Sequence, residues 1–227
     1  MQNQKFMTSD EVYEDLCLKI EKLVYMPGES ISENDLCKTY GVSRHIVRGA
    51  ITRAKSRRLL TVYPQRGTFV SLIDMGYVED ILYLRESVEQ EAFRRVMNLD
   101  DTKIAELVGH MKKNLVEQKR VIKKEITMEE FYAIDNIFHS YLLSAVDKEQ
   151  VMDLVKEQYI HVRRWRNFEA NNITRLEEII EDHEKLIETI EKKDCQAGWE
   201  CLHTHLDTVT RLKDIFKTVQ GEYFIFR

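Results

Sequence analysis

The chain of 227 residues carries 34 Lys+Arg against 39 Asp+Glu, a formal net charge of −5, and 43% of its residues are hydrophobic. No stretch approaches the roughly 18 consecutive apolar residues of a membrane span, and residues 1–5 offer no apolar signal core, so a cytoplasmic protein with no membrane contact is expected. Cys17, Cys37, Cys195 and Cys201 show no Cys-x-x-Cys spacing and read as reduced, buried thiols rather than disulfides or a zinc cluster.

Charge and proline divide the chain. Residues 1–74 hold 11 Lys+Arg against 9 Asp+Glu, a net of +2, whereas residues 75–227 hold 23 against 30, a net of −7. Both prolines, Pro27 and Pro64, fall in the first third. A mainly α protein follows, with a short mixed domain over 1–74 and an all-helical domain over 75–227.

In the first part, Thr8 or Ser9 caps a helix running to Val24, with Val12, Leu16, Ile20 and Leu23 on its inner side, and Pro27-Gly28 closes it. Ser32 with Asp35 fits a capping box; Leu36, Cys37 and Tyr40 give the next helix its apolar face, and Gly41 supplies a left-handed stop. Val42 plugs the corner and Ser43 caps a third helix, in which Val47, Ala50, Ile51 and Ala54 form one buried stripe. Arg44, Arg48, Thr52 and Lys55 lie along a different face, flanked by His45 and Arg53. Arginine forks onto guanine or phosphate, and a recognition helix presents its N-terminal residues to base edges, so Arg44, His45 and Arg48 are the leading DNA readers. From Cys37 to Val70 there are eight basic residues and no Asp or Glu, a one-sided charge that points to nucleic acid. Leu59–Tyr63 and Thr68–Leu72 are β-prone runs around the turn residues 64–67, a hairpin wing whose Arg66 can reach a phosphate or the minor groove.

From Tyr77 helical periodicity dominates. Six helices are expected near Met75–Met97, Asp101–Lys124, Met128–Val146, Lys148–Asn171, Leu176–Lys193 and Cys195–Val219, capped at Asp100, Thr127, Asp147, Thr174 and Asp194. Thr174 with Glu177 is a further capping box. No Gly-rich phosphate loop, nucleophile elbow or strand–helix alternation argues for a nucleotide enzyme or an α/β hydrolase. Asp135 and His139 stand i, i+4 on one helix, while His183 and His205 sit mid-helix among apolar residues. Three imidazoles and a carboxylate suit a divalent ion such as zinc or nickel. Spacing alone leaves three readings open: core histidines in a domain that only dimerises, a metal-dependent helical enzyme, or a metal-holding sensor. A di-iron bundle needs two Glu-x-x-His pairs, and the chain offers only Glu200-x-x-His203. His203, two residues from His205, faces the other way on a helix.

The first 70 residues resemble the winged helix-turn-helix of GntR-family transcription regulators. The resemblance rests on Pro27-Gly28, Ile31-Ser32-Glu33, Tyr40-Gly41-Val42-Ser43-Arg44, Val47-Arg48, Ala50 and Arg66-Gly67-Thr68-Phe69-Val70. Two departures occur, at His45-Ile46 and Gly49, where relatives commonly have Thr-Pro and Glu, so base preference is not carried over. The later motifs Asp135-x-x-Phe138-His139 with Leu142, Asp182-His183-Glu184 and His203-x-His205-Leu206 are similar to the FCD, FadR-like subgroup, and the six helices resemble its VanR type. That resemblance implies a metal on Asp135, His139, His183 and His205, and a small carboxylate or sugar-acid effector. Arg85 matches a common family position, and it, Arg163 and Arg164 are candidates to pair with the effector's carboxylate. It further implies a homodimer on two-fold double-stranded operator DNA, with release by effector, and so repression, as the commoner behaviour.

Overall fold

The computed structural model describes residues 7–123, 128–168, 173–207 and 221–226, without the side chains of residues 128, 129, 173 and 174. Two compact units divide the chain: Met1–Val78, Glu157–Asn167 and Lys213–Arg227 make one, and Glu79–Lys156 with Phe168–Leu212 the other.

In the first unit, Thr8 and Glu11 form a full capping box at the start of α1 (Ser9–Glu21), which buries Val12, Leu16 and Ile20. The helix stops short of the expected Val24. Leu23 takes a left-handed φ of 58°, letting Val24 N–H reach the Lys19 carbonyl (2.9 Å) and Leu23 N–H that of Ile20 (3.3 Å). This is a Schellman closure built on leucine instead of glycine. Ser32 caps α2 (Glu33–Tyr40) by accepting from Asp35 N–H, and Gly41 (φ 64°) turns the chain into α3 (Arg44–Ser56). Ser43 occupies the N-cap of α3 but makes no side-chain capping bond, contrary to expectation. The predicted stripe of Val47, Ala50, Ile51 and Ala54 is buried.

β1 (Ser30–Ile31), β2 (Leu60–Tyr63) and β3 (Gly67–Val70) form an antiparallel sheet in the order β1-β3-β2, with Leu60 opposite Val70 and Tyr63 opposite Gly67. The β2–β3 hairpin is the predicted wing, and its turn uses left-handed Gln65 (φ 59°) and Gly67 (φ 109°). A short parallel pair, β4 (Ile73–Asp74) with β5 (Phe224–Ile225), completes the strands.

α4 (Met75–Val96), α5 (Asp101–Ile122) and α6 (Met128–Ser144) fall where expected, and Asp100 caps α5. The fourth expected helix, Lys148–Asn171, is replaced. Asp147 turns left-handed (φ 57°), so that Lys148 N–H bonds the Leu143 carbonyl and closes α6 instead of capping a new helix. A 3-10 stretch, Glu149–Val155, follows with no buried residue, and then α7 (Ile160–Arg166). α7 packs as part of the first unit: Ile160 joins the core of Leu16, Ile20, Val47, Ile51 and Val70. Asn167 Nδ2 donates to the Glu21 carbonyl (2.6 Å) and His161 Nε2 meets that of Arg57 (2.9 Å). α7 thereby satisfies carbonyls left free where α1 and α3 end.

α8 (Ile173–Glu191) and α9 (Cys195–Leu206, capped by Asp194) return to the second unit. There α5 packs on α6 and α8, and α8 on α9, around Phe93, Met111, Phe131, Phe138, Leu142, Leu186 and Leu202. Gly198 allows the close approach of α9: a Cβ there would stand 2.2 Å from Phe93 Cζ and 2.8 Å from Thr189 Oγ1. The expected cap at Thr127 and the last helix beyond residue 207 lie outside the described residues, and Thr174, expected to cap α8, falls within that helix instead. Among those residues no helix is long and apolar enough to cross a membrane. All four cysteines are free, but Cys195 at the start of α9 is exposed and the other three are half-buried rather than buried.

Candidate metal centre and nucleic-acid interface

Three helices of the second unit deliver the four candidate ligands: Asp135 and His139 from α6, His183 from α8 and His205 from α9. All four are buried, with their ligand atoms within 4.8 Å of one another. His139 Nε2 stands 3.1 Å from His205 Nε2 and 3.3 Å from His183 Nε2, while Asp135 Oδ1 lies 3.5 Å from His183 Nε2 and 3.6 Å from His139 Nε2. Two nitrogens bound to one ion at about 2.1 Å are themselves ~3.0–3.4 Å apart for angles between a right angle and the tetrahedral value, which is the spacing found.

The protons settle what these atoms offer. Asn114 Nδ2 donates to the Ile134 carbonyl (3.0 Å), Gln118 Nε2 to Asn114 Oδ1 (2.7 Å), and Gln118 Oε1 faces His183 Nδ1 (2.9 Å). A backbone carbonyl only accepts, so each amide's orientation follows from the last and His183 Nδ1 must carry its proton. His139 Nδ1 meets Glu89 Oε2 at 2.6 Å, and Glu89 Oε1 accepts from Arg85 Nε at 2.6 Å. His205 Nδ1 faces Asp182 Oδ2 at 3.5 Å. With Nδ1 protonated on His183 and facing a carboxylate on His139 and His205, three Nε2 atoms and a carboxylate converge on one buried point. A divalent ion, or a proton shared between two rings, would hold such a donor set together.

The electrostatics differ from ring to ring. Burial pushes the Glu89 carboxyl up, but His139 and Arg85 overcome it and hold the group at about 2, an anion. Burial lowers His139 too, yet Glu89 outweighs it and the net shift is upward. His183 is held well below the usual imidazole range by burial and then by the neighbouring His205 and His139. Burial also lowers His205, against the pull of Asp182. Phe138 stacks on the His183 ring, centroids 3.9 Å apart, and closes that side to water.

Of the three arginines expected to meet an effector, Arg85 lies in the second unit and joins this cluster through Glu89. Arg163 and Arg164 make their described contacts inside the first unit, Arg163 Nε with Glu21 Oε1 (2.7 Å) and Arg164 Nη2 with the Ser71 carbonyl (2.6 Å). The reason is the break before α7, which places both in the first unit instead of on a fourth helix of the second. His203 is half-exposed on Glu86. The outer partners Glu89, Asn114 and Gln118 escaped the sequence reading, which held Asp182 only as a motif residue beside His183, although Asn114 and Gln118 stand as polar interruptions of the buried α5 stripe.

In the first unit, Arg44, His45, Arg48, Thr52, Arg53, Lys55 and Arg66 are all exposed. Arg44 Nη2 donates to Asn34 Oδ1 (2.8 Å) and Arg48 pairs with Glu33 (3.0 Å), both from α2. Arg53 turns to α1, paired with Asp10 (2.6 Å) and laid over the Tyr13 ring. Arg66, at the wing tip, lies over Tyr63.

Residues 8–70 match the bacterial regulatory proteins of the gntR family, and residues 80–208 match the FCD domain. The chain is a GntR-family regulator with an FCD domain. This regulator is 30% identical over 200 residues to the HTH-type transcriptional regulator in unstable DNA locus of Streptomyces ambofaciens, covering 86% of its own length and 82% of the relative's. It is 23% identical over 216 residues to the HTH-type transcriptional repressor RspR of Escherichia coli K12, covering 95% and 93%. Its fold is that of a GntR regulator from Rhodococcus sp. RHA1, with a TM-score of 0.62 at 19% identity over 91% and 97% of the two chains. Its relatives are transcriptional regulators and not enzymes, which removes the metal-dependent enzyme from consideration. Its helix-turn-helix makes it a DNA-binding protein.

Proposed function

We propose that this GntR-family protein is a cytoplasmic, homodimeric repressor whose operator affinity is set by a small carboxylate or sugar acid bound at a divalent ion, zinc or nickel, on Asp135, His139, His183 and His205. The observation that carries the reading is the convergence of three Nε2 atoms and one carboxylate, with a polar partner facing Nδ1 of each ring. When bound, the ion would supply Lewis acidity, and positions left open by four ligands would accept carboxylate oxygens. The chain's own residues bind and orient that centre, and Phe138 excludes water from it.

On the DNA side, Arg44, His45 and Arg48 meet base edges or phosphates, with Thr52, Lys55 and the wing's Arg66 on the backbone. Two such modules in a dimer would span half-sites about one helical turn apart. Arg53, engaged by Asp10 and Tyr13, steadies α3 on α1. In this reading residues 1–74 read DNA, and residues 75–227 sense, dimerise and, through α7, hold the DNA-reading unit. α7 belongs to the DNA-reading unit, whereas α8, next in the chain, carries His183.

The test is an operator-binding titration with a panel of small carboxylates, in zinc-containing buffer and again after a chelator. Weakened DNA binding by one acid, lost when metal is stripped, is the predicted result. A response to acid that survives complete metal removal contradicts it.

A further inference from the structure

We infer that Arg85 and Glu89 are positioning residues for the metal centre, which hold His139 by its Nδ1–H, and that Arg85 serves this role rather than pairing with an effector's carboxylate. The inference rests on the metal reading above. Both residues lie on one face of α4, four apart, and are almost wholly buried. The two Glu89 oxygens divide between them: Oε1 accepts from Arg85 Nε and Oε2 from the ring of His139, both at 2.6 Å. The pair therefore ends on a ligand ring rather than on itself.

A buried ion pair is often no more stabilising than apolar side chains of the same size, so the fold alone gives little reason for it. Its position behind a ligand gives one. An anion on Nδ1–H makes the opposite nitrogen a stronger donor and fixes the ring's angle. Arg85, by holding Oε1, keeps Oε2 of Glu89 turned to that ring. The three rings are supported unequally, His139 by a full carboxylate at 2.6 Å, His183 by the neutral Gln118 amide at 2.9 Å and His205 by Asp182 at 3.5 Å. His139 is the ligand whose donor strength depends most on its partner.

The experiment is zinc competition against a chromophoric chelator with the full chain and no organic acid, alongside metal-free melting and the ligand-field spectrum of the cobalt(II)-loaded protein. Glu89→Gln is expected to weaken zinc binding about 10–100-fold, with a cobalt spectrum that still reports the same donor set. Arg85→Met should weaken it in the same direction. Since either change removes one half of a buried ion pair, the double variant Arg85→Met with Glu89→Met removes both together. It should melt near the wild type and remain as weak for zinc as Glu89→Gln. Wild-type zinc affinity in Glu89→Gln and in the double variant overturns the inference while leaving the four ligands standing. An Arg85→Met protein that keeps zinc affinity but loses its response to carboxylates makes Arg85 the effector's anchor and overturns it as well. Failure of the wild type to bind zinc at all ends both this inference and the metal reading.

Discussion

At the centre of the second unit each candidate ligand ring is fixed from behind: His139 by Glu89, His183 by Gln118, His205 by Asp182. On α3 of the first unit the basic side chains stand in solvent, with Arg44 held by Asn34 and Arg48 by Glu33. The contrast is the one expected from the partners proposed for the two units. A small ion is gripped by geometry, so its donors must be preorganised in a buried site where every contact is strong. DNA is gripped by summed charge, so its contacts stay long, hydrated and exchangeable, and a surface ion pair worth ~0–1 kcal/mol is easily traded for a phosphate. Damage at the first site should therefore be near all-or-none, and damage at the second graded.

The largest expected effect is at the buried centre. His183→Ala removes a donor and takes from Gln118 Oε1 its ring partner, and metal affinity should fall beyond the ~10–100-fold typical of losing an outer partner, read by chelator competition. A loss under threefold would break the contrast. His161, the buried imidazole of α7, extends it into the first unit. Burial holds it at about 4, below its ordinary 6.5. A histidine with a depressed folded pKa contributes stability that is present above about 6.5 and is lost as pH falls through 4, here up to about 3 kcal/mol. Melting followed from pH 7 to 4 should drop steeply in the wild type and less in His161→Gln.

Next in size is the exposed face. Arg48→Ala should cost ~1–3 kcal/mol of operator binding if it reads a base, and about one phosphate's worth of salt dependence if it does not. Unchanged affinity and salt slope would move the contact elsewhere on α3. The smallest effect belongs to backbone strain. Asp147 is exposed and left-handed, so Asp147→Gly should raise stability by roughly 0.5–1 kcal/mol in a denaturant titration, without touching metal or DNA binding.

What could be read in advance depended on whether a pattern was local. The α3 stripe of Val47, Ala50, Ile51 and Ala54, the Gly41 stop and the wing turn are local and were legible. The four ligand candidates were legible as helix positions, because apolar neighbours put His183 and His205 on inner faces. Helix ends were less so. Leu23, Arg58, Asp147 and Lys193 all take left-handed φ at helix ends, a conformation for which glycine is the usual sign, so α1 looked longer and Asp147 looked like a cap. The break before α7 was hidden for another reason: the 157–167 segment buries Ile160 and Trp165 in a unit more than 80 residues earlier in the chain. Outer partners such as Glu89 and Gln118 were invisible because their meaning lies in which ring they touch.

The measurement that bears hardest on the metal centre is the metal content of tag-free protein, counted per chain by elemental analysis before and after incubation with zinc and nickel. About one ion per chain, lost in His183→Ala and in Asp135→Ala, is the result predicted for a four-ligand centre. Protein that stays metal-free after both incubations, while still folded and binding operator, would contradict it and return the three histidines to the core.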